Sequence, residues 1–167
     1  MKNSIWLTLL LVVLIMAAIF GFSSKEAEES DEQSDVITDV VIDIVVPEYE
    51  EMIPPEQEKI HDTVSYYVRK TAHALEYSAL GFALYLHVSA IGRKKHVPAG
   101  FVICFFLGVL YAVSDEWHQS FVAGRHAAAA DVLVDSIGVI FGILVLSLIL
   151  LIIRKKRADE TGKNANF

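Results

Sequence analysis

Hydrophobic positions along this chain fall in four long blocks separated by polar gaps. Residues 5–22, 77–91, 97–114 and 136–153 contain no Asp, Glu, Lys or Arg. The second block is short by itself but extends back through His73. A membrane-crossing helix needs about 17–25 such residues. A core helix of a water-soluble protein would show polar residues at helical spacing along its outer face, and these blocks show none. Only segments that satisfy their own backbone groups can cross lipid. The pattern therefore predicts an all-α integral membrane four-helix bundle, with an acidic extracytoplasmic insert after the first span. The expected units are an N-terminal anchor over 1–24, the insert over 25–60, a three-span core over 61–153 (spans near 72–91, 97–115 and 132–153) and a basic tail over 154–167.

The insert has its own pattern. Residues 25–34 (KEAEESDEQS) are acidic and polar and read as a flexible linker. In DVITDVVIDIVV, Asp35, Asp39 and Asp43 recur every four residues among Val and Ile. That spacing suits a helix lying in the membrane interface, while the β-branched content suits a strand equally well. Pro47, Pro54 and Pro55 interrupt the region. A helix is expected to begin near Glu56, carry Ile60, Val64 and Tyr67 on one face, and run directly into the second span.

Composition agrees with the blocks: the 167 residues are 54% hydrophobic, with a mean hydropathy of +0.46. Net charge is −7, and its distribution carries the information. From Lys25 to Lys70 there are fourteen acidic and four basic residues. Arg93, Lys94 and Lys95 fill the gap between spans two and three, and Arg154, Lys155, Lys156 and Arg157 follow span four. Basic residues in short loops favour the cytoplasmic side. Both clusters and both termini are therefore expected in the cytoplasm, with 25–70 and the loop at 115–131 outside, in a bacterial cell membrane. Residues 2–24 also resemble a signal peptide. Their apolar run is longer than the usual hydrophobic region and no clear cleavage site follows, which favours a retained anchor. No basic patch lies outside the juxtamembrane clusters, which argues against nucleic acid as a partner. The lone Cys104 lies mid-span, forms no intramolecular disulfide and reads as a small core residue.

Polar residues gather at one end of the last three spans. Arg69, His73, Glu76, Tyr77 and Leu80 fall within about 100° of one helical face. A carboxylate at position 76 is costly in lipid and is expected to face the bundle. On the third span, Tyr111, Asp115, His118 and Gln119 share a face, with Glu116 to one side. Trp117 and Phe121 suit an interfacial aromatic belt. On the fourth, Asp131, Asp135, Gly138 and Gly142 form one stripe. The glycines permit close helix approach, which turns the aspartates inward. With Arg125 from the loop, the candidate ligand-binding set is Arg69, Lys70, His73, Glu76, Tyr77, Asp115, Glu116, Gln119, Arg125, Asp131 and Asp135. His73, Glu76, Asp115 and His118 are the candidates for any catalysis.

Three readings stay open from these residues. The cluster binds a cell-envelope or lipid-linked component, it performs acid–base chemistry on a lipid-linked substrate, or it is a salt-bridge network that joins helices. There is no HExxH, no phosphate-binding P-loop and no Gly-x-Ser-x-Gly, so no enzyme class follows. No metal or other cofactor is expected, and the oligomeric state is not encoded in any recognisable pattern.

RKTAHALEYSALG, YAVSDEWHQSFVAGR and DVLVDSIGVIFG, together with Phe22-Ser23-Ser24, resemble the VanZ-like family, named after a teicoplanin-resistance accessory protein. The resemblance covers most of the chain outside 25–60 and the tail. Two positions depart from the family pattern: Ala123 stands where Pro is common before Gly-Arg, and the run at 127–130 is all alanine. The resemblance implies a cell-envelope role and, by analogy with the founding member, a link to glycopeptide tolerance. It implies no mechanism.

Overall fold

A computed structural model describes residues 2–25, 27–91, 97–125 and 127–164. The described residues form five α-helices and a short 3₁₀ turn, with no strand among them. The helices are α1 (Lys2–Ser23), α2 (Ala27–Val45), α3 (Pro54–Ile91), α4 (Val97–Gln119) and α5 (Ala129–Asn164). Four of them, α1, α3, α4 and α5, are long and apolar enough to cross a membrane. The basic cluster at 93–95, used to orient the spans, lies outside the described residues.

Outward-facing side chains support the same reading. Leu7, Phe106, Leu110, Ile137 and Leu148 all lie on the surface. Apolar surface on that scale calls for lipid rather than water around it. Inside, Tyr77, Leu80, Ala83, Cys104, Ala112, Val139 and Ile143 form the centre of the core.

The closest helix pair is α3 with α5, and glycine explains why. A Cβ on Gly138 would strike the carbonyl oxygen of Ala74. One on Gly142 would strike that of Ser78 and stand 2.8 Å from the Phe82 amide nitrogen. Gly81 answers from α3, against the Val139 backbone. Contact between bare backbones substitutes for hydrophobic driving force inside a membrane. Because position 138 meets 74 and 142 meets 78, the two helices run parallel. At the opposite end from the polar cluster, Thr8 and His87 hydrogen-bond at 2.9 Å and tie α1 to α3.

The insert differs from its sequence reading. The expected linker over 25–34 is helical from Ala27 onward, within α2. Ala, Glu and Gln are good helix formers, and acidic residues near a helix N-terminus are favoured by its dipole. The Val/Ile stretch continues the same helix, because packing outweighs its β propensity. α2 lies against α3, burying Thr38 and Ile42, while His61 of α3 stands 3.8 Å from both Asp35 and Asp39.

α3 begins at Pro54, two residues before the expected start, with proline in the first turn where its missing N–H costs nothing. Its 38 residues make a rod of about 57 Å, nearly twice a hydrocarbon core of about 30 Å. The first half thus continues the second span outward, as its sequence suggests. On that half Ser65 is buried while Tyr67 is exposed, so the expected Ile60–Val64–Tyr67 face is only partly covered. Past residue 153 the basic tail continues as the end of α5.

Candidate functional site

The polar residues of α3, α4 and α5 converge at one end of the bundle, and the end of α1 joins them. Asp115 of α4 is buried, and its Oδ2 accepts the Ser23 hydroxyl at 2.7 Å and the Gln119 amide at 3.1 Å. Gln119 also donates to Ser23 Oγ at 3.2 Å. Tyr111 donates to the Met16 carbonyl at 2.7 Å. His118 turns toward α1, stacking on Phe20 at 4.5 Å and hydrogen-bonding Ser24 at 3.2 Å. These contacts form a seam between α1 and α4. Ser23 and Ser24 are its main addition to the set read from sequence.

A second group fastens the loop between α4 and α5. Glu116, placed to one side on the helical wheel, is buried, and its Oε1 accepts the Ala128 amide at 2.6 Å. Lys70 of α3 forms an ion pair with Asp131 in the first turn of α5. Both carboxylates thereby find donors that leave little room beside them. The cavity among Lys70, His73, Glu116, Gln119, Asp131 and Asp135 is about 10 Å³, space for one water molecule at most. Asp135 is buried, as the glycine stripe on its own face requires.

The remaining residues line an open cleft of about 250 Å³. Its walls come from the end of α1 (Phe22, Lys25), from α2 (Ser30, Ser34, Ile37), from α3 (Val68, Arg69, Ala72, His73, Glu76) and from Arg125 of the loop. Gly124 precedes Arg125 with φ of 75°, a left-handed conformation that glycine adopts without strain. The Arg125 amide closes that turn on the Val122 carbonyl at 3.2 Å. Burial draws the Arg125 guanidinium below its ordinary pKa; Asp115 opposes the shift and neighbouring Arg69 adds to it. Arginine stays charged throughout, and Arg125 has no ion-pair partner among the described residues. His73 Nδ1 and Glu76 Oε2 stand 4.0 Å apart, beyond hydrogen-bond range. That carboxylate oxygen is buried without a hydrogen-bond partner.

Sequence reasoning placed one cluster here, and the structure divides it. Lys70, Asp115, Glu116, Gln119 and Asp131 are engaged in helix-to-helix and helix-to-loop contacts. Arg69, His73, Glu76 and Arg125 face the cleft. Tyr77 is fully buried against Tyr111, with ring centroids 6.2 Å apart, and lies in the core. Of the four candidates for catalysis, the cleft holds His73 and Glu76, whereas Asp115 and His118 line a separate aromatic pocket with Trp117 and Phe121. Among the described residues, no three His, Cys, Asp or Glu side chains are arranged to hold a metal ion. Lys25, Ser30 and Ser34 were not legible as lining residues, since they sit at a span end and in a segment read as linker.

A small all-helical bundle with four membrane-length helices and an ionic end is, as a class, a multi-pass membrane protein. The family model of VanZ/LLP1 matches residues 8–151. The chain belongs to that family. No curated protein and no solved structure matches it.

Proposed function

We propose that this protein binds a component of the bacterial cell envelope at the extracytoplasmic face of the cytoplasmic membrane, through the cleft lined by Arg69, His73, Glu76 and Arg125. The observation that carries the reading is the division of the ionic end. Asp115, Glu116 and Asp131 each take a donor inside the bundle, Asp115 at one oxygen, while Arg125 faces an open cavity without an ion-pair partner among the described residues. A network serving only to join helices has no need of a partly desolvated guanidinium beside open space, because leaving a charge under-compensated costs stability. Guanidinium groups suit planar or tetrahedral anions through paired N–H donors, so an acidic envelope component is the matching ligand.

The orientation follows from the basic clusters at 93–95 and 154–157, which favour the cytoplasm and put the cleft outside. Membership of the VanZ/LLP1 family makes tolerance to glycopeptides of the teicoplanin type the phenotype to measure. In a strain whose tolerance depends on this protein, Arg125→Ala and Glu76→Gln are expected to abolish it at unchanged membrane abundance. Parallel loss of abundance and tolerance would favour the purely structural reading. The open His73–Glu76 pair also supports a membrane-embedded enzyme as the second reading. Turnover of a labelled lipid-linked substrate by the purified protein, lost in His73→Ala, would establish that reading, and an unchanged substrate would count against it.

A further inference from the structure

The cleft mixes chemistries that a plain anion site would keep apart. Arg69, Arg125 and Lys25 bring positive charge, Lys25 already sharing its ammonium with Glu29 at 3.1 Å. Glu76 stands in the same wall. A bare phosphate or carboxylate leaves Glu76 without a partner, whereas a ligand with an anionic group and a nearby hydrogen-bond donor engages both the cations and Glu76.

Size and surroundings narrow the class further. A volume of about 250 Å³ lies below the range of roughly 300–1,000 Å³ for drug-sized ligands, so it holds a headgroup and not a whole glycopeptide. Phe22 and Ile37 on its walls are 50% and 57% exposed, which offers an apolar path out of the cleft. Residues 77–91 of α3, with no formal charge, rise about 22 Å below it. That places residues 69–76 near one boundary of a hydrocarbon core of about 30 Å, the level at which lipid phosphates lie.

Resting on the binding reading above, we infer that the cleft takes the phosphodiester headgroup of a membrane lipid that also carries an N–H or O–H donor. The phosphate lies toward Arg69 and Arg125, and the ammonium or hydroxyl lies toward Glu76.

The test uses the full chain in lipid nanodiscs containing phosphatidylethanolamine, phosphatidylglycerol or phosphatidylcholine, with bound lipid read by native mass spectrometry. Phosphatidylcholine has the phosphate but no N–H or O–H on its headgroup. Wild type is expected to retain the two donor-bearing lipids at least about tenfold over phosphatidylcholine, the scale of one hydrogen bond to a charged group. Glu76→Gln is expected to erase that preference, and Arg125→Ala to weaken retention of all three lipids alike. Equal retention by wild type, or a preference that survives Glu76→Gln, overturns the inference. Ala72→Trp, which fills the cleft without removing a charge, is expected to abolish retention; unchanged retention places the lipid elsewhere and overturns it as well. Soluble glycerophosphoethanolamine is expected to compete poorly, and competition at the affinity of the lipid itself would make the ligand a free phosphodiester. If wild type shows no headgroup preference while Arg125→Ala still abolishes tolerance, this inference fails and the binding reading stands. Donor-selective retention with tolerance unaffected by Arg125→Ala upholds this inference and removes only the link between the cleft and glycopeptide tolerance.

Discussion

Adding one methyl group at Gly142 tests the packing on which the ionic end depends. An alanine Cβ there would strike the Ser78 carbonyl oxygen and approach the Phe82 amide nitrogen to 2.8 Å. Both are backbone atoms of α3, so no rotamer change relieves the contact and the helices must separate. Overpacking of this kind costs about 1–3 kcal/mol. Replacing glycine by alanine in a helix returns up to about 1 kcal/mol. Since rigid backbone is struck, the upper part of the range applies, and a net loss of about 1–2 kcal/mol is expected. For a chain of this size each kcal/mol moves the melting temperature by about 2–4 °C, giving a fall of roughly 2–8 °C in detergent. Gly21→Ala is the control. It lies in an equally apolar helix, but nothing stands within 4 Å of its Cβ, so its melting point should hold or rise. If Gly142→Ala melts at or above wild type while Gly21→Ala behaves as expected, the close approach of α3 and α5 is refuted.

Ser23→Ala removes a fully buried hydroxyl donor to Asp115 and should cost about 1–3 kcal/mol. Exposed Ser24→Ala should stay within about 0.5 kcal/mol, and equal melting points for the two would refute the buried seam. Lys70 and Asp131 are each about a quarter exposed, at 23% and 24%. Lys70→Ala should therefore cost no more than about 1 kcal/mol, with part of the loss recovered in the charge-swapped Lys70→Asp, Asp131→Lys pair; a swap that melts no higher than either single variant argues against direct pairing. For orientation, single cysteines at exposed Glu29 and Ser120, in a Cys104→Ala background, should react with an impermeant maleimide in intact cells. Labelling of both only after permeabilisation reverses the topology.

The four spans were legible because lipid imposes a crude rule, the absence of charge over a fixed length, that any sequence must obey visibly. The glycine stripe was legible for a similar reason: Gly138 and Gly142 have one geometric use on a span, and they turn Asp131 and Asp135 toward α3 as their register demands. What a helical wheel does not give is which neighbour receives a face. His118 shares a face with Asp115 and Gln119, and all three meet the end of α1, through Phe20, Ser23 and Ser24, where the sequence reading had put them in one site with α3 and α5. Glu116 lies off that face and is still buried, since the loop folds over it and presents the Ala128 amide. The first turns of α2, before the Asp35–Asp39–Asp43 stretch that suited a helix or a strand, were missed for a different reason. They are so acidic that they read as solvated linker, and packing of α2 against α3 adds to their helix propensity.

The division of the ionic end follows from how each acid is satisfied. Burying a carboxylate demands donors, and the obvious supply would be the arginines nearby. Instead Asp115 draws on Ser23 and Gln119, and Glu116 on a backbone amide. Among the described residues only Asp131, at the start of α5, takes a lysine from α3. Neutral donors therefore do work that would otherwise fall to Arg125. Had Asp115 or Glu116 closed on Arg125, the same residues would form a sealed staple. Hydroxyl, amide and peptide groups serve Asp115 Oδ2 and Glu116 Oε1, and Arg125 is left at the mouth of a cavity beside Glu76; Glu76 Oε2 and Asp115 Oδ1 are both buried without a hydrogen-bond partner. Helix fastening and ligand recognition can thus share one end of a small bundle, and Ser23 of the first span takes part in making that separation.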